Sequence, residues 1–555
     1  VIPANVPFFS GFSADLFLEC SYPIVPQRPE TFPLSKKIQY ASGRITYRRY
    51  RIPPPANVHE LIFSGNQDPG HPAIESPGFP PISYQGLRGQ IQHVVKTLNA
   101  QGFGRNDRIA VLTPGVPETA VLMISVMAGF TCVSINPRYT RDEYERYLPK
   151  LRVDAIIVQK GDDTPARAAA EAQNLPVIEM ILSPESRYIF SLMPELSPEN
   201  EPRFAGPDDI AILMLTSGTT AAPKIVPLTQ RLVCTAVEKD AAANRYTAEE
   251  RLLLITPVYH MLANSNLMQV MFVGGTVICP RDFIASDIVP LLKKYRPTCY
   301  PATPALHRAI LQELKKTGPG DLHPHSLRII KSASAALPAQ VRDELEQILG
   351  VPLVETYGMS EVGGGTIATN FPPSKRGSAG KPLIEHLAIM DETGALLEPL
   401  AEGEIVVKGD EVFAGYEGAP EENALVFTSG WFRTGDTGYL DTEGFLWLTG
   451  RKKELINKGG EKIAPAEVDA ILMQHPLVKD AMSFKIPDPL FGEDIAAMVV
   501  PSSGEVTGKD LRLYLMDHLV PFKIPRRIYI VDTIPRNAGG KPLRHIGTEH
   551  YGLPL

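Results

Sequence analysis

The chain has 555 residues, 44% of them hydrophobic and 21% charged, with a formal charge of −7 at pH 7; that is too long for one core and predicts roughly two to four domains. Charge near balance, with Lys and Arg scattered rather than clustered, excludes a dedicated nucleic-acid or anionic-membrane surface. Its five cysteines are widely spaced with no C-x-x-C pair, which excludes a disulfide framework and a zinc site and fits a reduced, cytoplasmic protein.

Residues 1–55 are rich in Pro and aromatics, then basic, and hold no sustained period, so they form an N-terminal extension of unknown role. From residue 56 helix and strand alternate. Gln85 to Gly102 reads as a helix, Arg108 to Leu112 as a strand, Glu118 to Gly129 as a helix and Asp154 to Val158 as a strand. Such alternation predicts mostly parallel sheets covered by helices on both faces. The most apolar stretch, Ala120 to Ile135, contains Ser, Gly and Thr and falls short of the ~20 residues of a membrane span. It predicts a buried helix leading into a strand.

Asp209 to Leu215 is apolar and branched, a buried strand, and stops at Thr216, Ser217, Gly218, Thr219 and Thr220, with Lys224 closing the turn. Short hydroxyls, bare backbone N–H groups and one cation suit a polyphosphate. This is not the Walker loop, because counting from Gly218 places Pro223 at its second Gly and Ile225 at its Mg²⁺-binding hydroxyl. On composition alone a Ser/Thr-rich surface turn stays open.

The helix–strand rhythm continues with Gln230 to Asn244 helical, Arg251 to Thr256 extended, Asn264 to Val273 helical and Thr276 to Cys279 extended. From Gly380 to Phe445 the texture changes to short β runs: His386 to Met390 and Gly403 to Gly409 flank a turn at Asp391 to Gly394, predicting a small β-barrel or hairpin layer. After Gly450 a βααβ-like tail follows, with Pro465 to Gln474 helical, Asp488 to Gly492 a loop, Asp494 to Val500 a strand, Lys509 to Leu519 helical and Arg527 to Val531 a strand. The expected division is an extension at 1–55, a large α/β domain at 56–449 and a small, mobile α+β lid at 450–555.

Four later stretches change the reading of the hydroxyl-rich turn: ETYGMSE (Glu355 to Glu361), WFRTGDTGYLDTEGF (Trp431 to Phe445), LTGRKKELINKGGEKIAPAEVD (Leu448 to Asp469) and PRNAGGKPLR (Pro535 to Arg544). With TSGTTAAPK, and in this order, they resemble the core motifs of the adenylate-forming superfamily, which comprises acyl- and aryl-CoA synthetases, peptide-synthetase adenylation domains and luciferases. The resemblance runs from about Ile74 to about Arg544. It implies ATP-dependent activation of a carboxylic acid as an acyl-adenylate, with Mg²⁺, followed by transfer to a thiol.

Each role is carried by a matching residue. Lys224 and Thr216, Ser217, Gly218, Thr219 and Thr220 match the pyrophosphate loop, although Ala221 stands where the family usually has Gly. Tyr357 matches the aromatic that stacks on adenine and Glu355 the group near the adenine amino nitrogen. Ser360 and Glu361 match the Thr-Glu pair, with Glu361 the implied Mg²⁺ ligand. Asp436 matches the ribose acceptor, Arg451 the second ribose or phosphate contact, and Lys541 the lysine that reaches the carboxylate and α-phosphate. Lys453 matches the hinge about which the lid rotates, and Gly459 and Gly460 the passage for a phosphopantetheine arm. His260 in Pro257-Val258-Tyr259-His260 replaces the Asp that pairs with an amino-acid ammonium, implying an acid without one.

Lys331 to Leu337 (KSASAAL), with Ala333 and Ser334, and Gly363 and Gly364 would line the acyl pocket beside His260. The segment around Arg451 is most similar to the oxalate or short-chain acyl-CoA ligase branch, implying a small to medium carboxylic acid. Two acceptors remain: free CoA, which the ligase-like motifs favour, or carrier-protein phosphopantetheine, which the opening Val and the unassigned first residues favour as signs of a domain cut from a longer synthase. A non-catalytic nucleotide-binding protein would predict decay at Lys224, Glu361, Asp436 or Lys541, and all four are present. Nothing in the residues asks for luciferase-like oxidation.

Overall fold

The computed structural model describes residues 55–551 together with the short strands at 39–41 and 44–46, apart from residues 65–67, 187, 195–200, 217–223, 319–321, 323, 373, 453, 459–460, 489, 503–505 and 538–539. The expected extension at 1–55 lies almost wholly outside the described residues.

Two large sheets are built from the alternating segments. A seven-stranded sheet runs in spatial order Lys224–Thr229, Ile210–Thr216, Thr131–Ser134, Arg108–Val111, Ala155–Gln159, Val177–Leu182 and Phe190–Met193, parallel except at its two edges. A nine-stranded sheet runs Lys381–Pro382, Thr366–Thr369, Leu353–Gly358, Ile329–Ser332, Cys299–Ala302, Arg251–Leu253, Thr276–Ile278, Pro72–Ser76 and Phe79–Ser83, again with parallel inner strands. Helix Val116–Gly129 is buried along almost its whole length and feeds directly into strand Thr131–Ser134. That is why its run is apolar on every face rather than striped. Among the described residues no helix is long and apolar enough to cross a membrane.

Next, His386–Met390, Gly403–Lys408, Phe427–Thr428, Trp431–Leu440 and Leu446–Arg451 form an antiparallel five-stranded sheet, the small β layer expected from the short runs. The C-terminal part holds a further five-stranded sheet, centred on Val478–Asp488 and Gly492–Pro501. Val468, Leu472, Leu511 and Leu515 of two helices cover one face, and Tyr551 of helix Arg544–Tyr551 packs on the other. The long strand Val478–Asp488 is absent from the sequence expectation of a βααβ-like tail. Lys479, Lys485 and Pro487 are exposed and Asp480 is half-buried, which interrupts its apolar run, while Ala481 to Phe484 stay buried between the two covering layers.

Candidate active site

Four parallel strands of the nine-stranded sheet deliver their carboxyl ends to one cavity of about 600 Å³. Thr256 follows Arg251–Leu253, Thr303 follows Cys299–Ala302, Ala333 and Ser334 follow Ile329–Ser332, and Gly358 ends Leu353–Gly358. Crevices beyond the carboxyl ends of parallel strands are where open α/β sheets take ligands. The wall after Thr303 is fixed locally: the Thr303 hydroxyl accepts from the Leu306 N–H and Pro304 opens helix Pro304–Lys316. Ser334 holds φ of 76° on this wall, a left-handed conformation uncommon for a residue with a side chain and concentrated at ligand sites.

His260 caps helix Met261–Val273 and lines the cavity. Burial lowers its pKa, so the imidazole is neutral at pH 7. Ser360 and Gly364 are also on the wall. Gly364 has φ of 70°, and a β-carbon there would overlap the Met261 side chain; glycine is what lets Met261 face the cavity. Gly363 departs from the sequence expectation. It stands off the large cavity, and a β-carbon on it would lie 3.0 Å from both the Leu232 carbonyl and the Ala236 methyl, so it packs the turn onto helix Gln230–Ala243.

A second group forms around Asp436. Tyr357 donates its hydroxyl to Asp436 Oδ2 at 2.7 Å, and Arg451 Nε lies 2.8 Å from Asp436 Oδ1. The β layer produces this pairing, because Asp436 and Arg451 are register partners on adjacent strands. Lys541 joins them from the C-terminal part: its Nζ lies 3.6 Å from Glu454, and Gly540 lines the cavity. Burial, then the Arg451 charge, holds Lys541 below the ordinary lysine range against the pull of Glu454 and Asp436. Glu454 is itself fixed by Arg544 at 3.0 Å.

A third group forms around Lys224. Thr216 and Lys224 are register partners at the ends of two antiparallel strands, so residues 217–223 form the connection between them. Ser217, Gly218, Thr219 and Thr220 lie outside the described residues, as do Lys453, Gly459 and Gly460. Lys224 is ion-paired with Glu422 and sits 4.5 Å from the centre of the Tyr416 ring. The Tyr416 hydroxyl donates to Glu361 Oε1 at 2.8 Å. Burial raises the Glu361 pKa; the Tyr416 hydrogen bond and the Lys224 charge oppose the rise. Glu355 pairs with Arg342 at 2.9 Å, and burial lifts its pKa too.

Tyr416, Glu422 and Arg342 were not among the residues expected from sequence. Glu422 meets Lys224 across 198 positions, and YEGAPEE carries no pattern that announces such a contact. The sequence does place Lys331 on the pocket wall as part of KSASAAL, and the structure adds that its side chain is only 2% exposed.

The donor set fits a magnesium nucleotide. Among the described residues no cluster of three or more His, Cys, Asp or Glu could hold a metal by itself. A buried carboxylate at Glu361, linked through Tyr416 to Lys224, suits an ion that takes one or two carboxylates and completes its shell with phosphate oxygens and water.

The family described as AMP-binding enzyme matches residues 63–417, and the one described as AMP-binding enzyme C-terminal domain matches residues 467–541. The oxalate–CoA ligase of Arabidopsis thaliana is 36% identical over 461 residues, covering 81% of this chain and 89% of that protein. Among solved structures, ATP-bound MatB from Rhodopseudomonas palustris aligns with a TM-score of 0.81 at 27% identity, covering 90% of this chain and 99% of that one. The o-succinylbenzoate CoA synthetase of Bacillus subtilis, solved with its acyl-adenylate intermediate, aligns with a TM-score of 0.77 at 27% identity, covering 91% and 99%.

Proposed function

The chain belongs to the AMP-binding enzyme family as an acid–thiol ligase that works through an acyl-adenylate, and we infer from its site how the two half-reactions are divided among its residues. In the first, a carboxylate oxygen attacks the α-phosphorus of ATP and the bond to pyrophosphate breaks. In the second, a thiol attacks the acyl carbon and AMP leaves. Both steps join crowded anions, so positioning and charge stabilisation are the protein's main tasks.

The reading rests on Lys541, which feels the charges of Arg451, Glu454 and Asp436 and follows Gly540 on a cavity that His260 also lines, while Tyr357 and Arg451 both hold Asp436. In this reading Asp436 accepts from the ribose hydroxyls, Arg451 supports it, and the Tyr357 ring stacks on adenine while Glu355 faces its amino group. Lys224 and the turn hydroxyls at 216–220 hold the leaving phosphates. Glu361, with Ser360 beside it, is the ligand for Mg²⁺, which supplies charge neutralisation on the phosphates. Lys541 draws the carboxylate and α-phosphate together. Lys453 is the hinge between a large domain at 56–449 and a lid at 450–555, and Gly459 and Gly460 border the thiol's path.

The neutral His260 in place of an acidic side chain favours an acid without an α-ammonium group, and the oxalate named for the Arabidopsis relative has none. Free CoA is the favoured acceptor, with carrier-protein phosphopantetheine as the alternative. With ATP, Mg²⁺ and a responding acid, CoA is expected to be consumed as its acyl thioester. Thioester formed only on a phosphopantetheinylated carrier protein would overturn the CoA assignment.

Glu361 must be ionised to hold Mg²⁺, so the acid limb of adenylation follows its raised pKa. Tyr416→Phe removes a hydrogen bond that lowers that pKa. Its acid limb is expected to move to higher pH, with a several-fold rate loss on the acid side and little change on the alkaline side. A coincident profile would separate Glu361 from the metal.

A further inference from the structure

Lys331 is unusual for a lysine: it lies on central strand Ile329–Ser332, is 2% exposed, and still contributes to the cavity wall. Its Nζ donates to Asn266 Oδ1 at 2.9 Å and lies 5.5 Å from the centre of the Tyr246 ring. Among the described residues it forms no ion pair. The two carboxylates whose charges act on it are already engaged: Asp240 accepts from the Thr366 N–H and hydroxyl at 3.1 and 3.0 Å, and Glu250 pairs with Arg328 at 2.6 Å. An ammonium has three donors, so Lys331 retains hydrogen-bonding capacity in a place almost closed to bulk water. Burial pushes its pKa down to about 8, with Asp240 opposing, which leaves it mostly charged at pH 7.

Gly540 also lines the cavity and is followed directly by Lys541, so a second lysine stands next in the chain to the wall that holds Lys331. Met261, Leu262, Leu306 and Ala309 supply apolar wall to the same cavity. Resting on the functional reading above, we propose that the acid is a dicarboxylate: one carboxylate is activated beside Lys541 and the second is bound by Lys331 Nζ. A plain acyl tail would instead cover the remaining Lys331 donors with hydrocarbon, which is costly for a charged group. The same lysine therefore selects for the diacid and against the fatty acid of equal length.

The test is acid-dependent ATP–pyrophosphate exchange by the full chain on matched pairs in which one carboxylate is replaced by methyl. These run from oxalate and acetate through succinate and butanoate to adipate and hexanoate, with terephthalate and 4-methylbenzoate as the aromatic pair. The best diacid is expected to exceed its partner in kcat/KM by at least about 100-fold, because a site built to bind a polar group rejects the analogue lacking it strongly. Lys331→Met should bring that ratio to within about threefold, mainly through the diacid KM and with the ATP KM unchanged, while Lys331→Arg retains part of the preference. A purely structural lysine would alter all acids alike. A monoacid matching the best diacid in the wild-type chain overturns the proposal, and so does a ratio unchanged in Lys331→Met. Should that variant fail to fold, the wild-type ratio decides alone. Exchange with no acid at all would bring down the functional reading, an outcome distinct from exchange with monoacids only.

Discussion

Lys541→Ala is expected to slow acid-dependent pyrophosphate release by about 10³-fold, the loss seen when one preorganised transition-state donor is removed. The side chain is held for this task by its own segment. Asn537 Oδ1 accepts from the Lys541 N–H at 2.8 Å, and Arg536 donates to the Gly540 carbonyl at 2.7 Å and to both Asp480 oxygens at 2.8 and 2.7 Å. Arg308, from the helix that walls the cavity, reaches the same Asp480 at 3.5 Å. Alanine leaves every one of these contacts in place and removes the charge with its Glu454 pairing, and Glu454 keeps Arg544. Folding and ATP binding should therefore persist, and thioester formation from a preformed acyl-adenylate should stay within a few-fold of wild type. Equal pyrophosphate release in variant and parent would remove Lys541 from the chemistry.

Asp436→Ala is expected to raise the ATP KM by about 10- to 100-fold, the range for losing a charge-assisted hydrogen bond in a buried site. It also strips the partner from both Tyr357 and Arg451, so the variant should melt lower than the parent. Tyr357→Phe separates the contributions: it keeps the ring and loses only the hydroxyl. If stacking is the ring's role, its ATP KM rises far less than that of Asp436→Ala. Unchanged ATP affinity in Asp436→Ala would contradict a ribose role.

The sequence was most legible where local pattern decides structure. Strand Ile210–Thr216 was visible because it is buried and apolar, and helix Val116–Gly129 because burial on all sides leaves no polar stripe. Asp436, Arg451 and Lys541 were nameable from motifs, and the structure brings them together through strand register and the Arg536–Asp480 anchor. Strand Val478–Asp488 was hidden by the charges and proline that interrupt its apolar run toward either end. Tyr416 and Glu422 were hidden for another reason: their meaning lies in contacts with Glu361 and Lys224 that only the fold creates. Gly363 shows the converse, since a run of three glycines looks like pocket lining although this one packs against Leu232 and Ala236. Lys331 could be placed on the wall from sequence, but its burial and shortage of partners could not.

This chain converts a carboxylic acid to an acyl-adenylate. The most direct test is exchange of labelled pyrophosphate into ATP by the wild-type chain without CoA, with Mg²⁺ and each acid added separately. Exchange that requires both Mg²⁺ and an acid, and that Lys541→Ala abolishes, is the predicted result. ATP binding without exchange for any acid would contradict it.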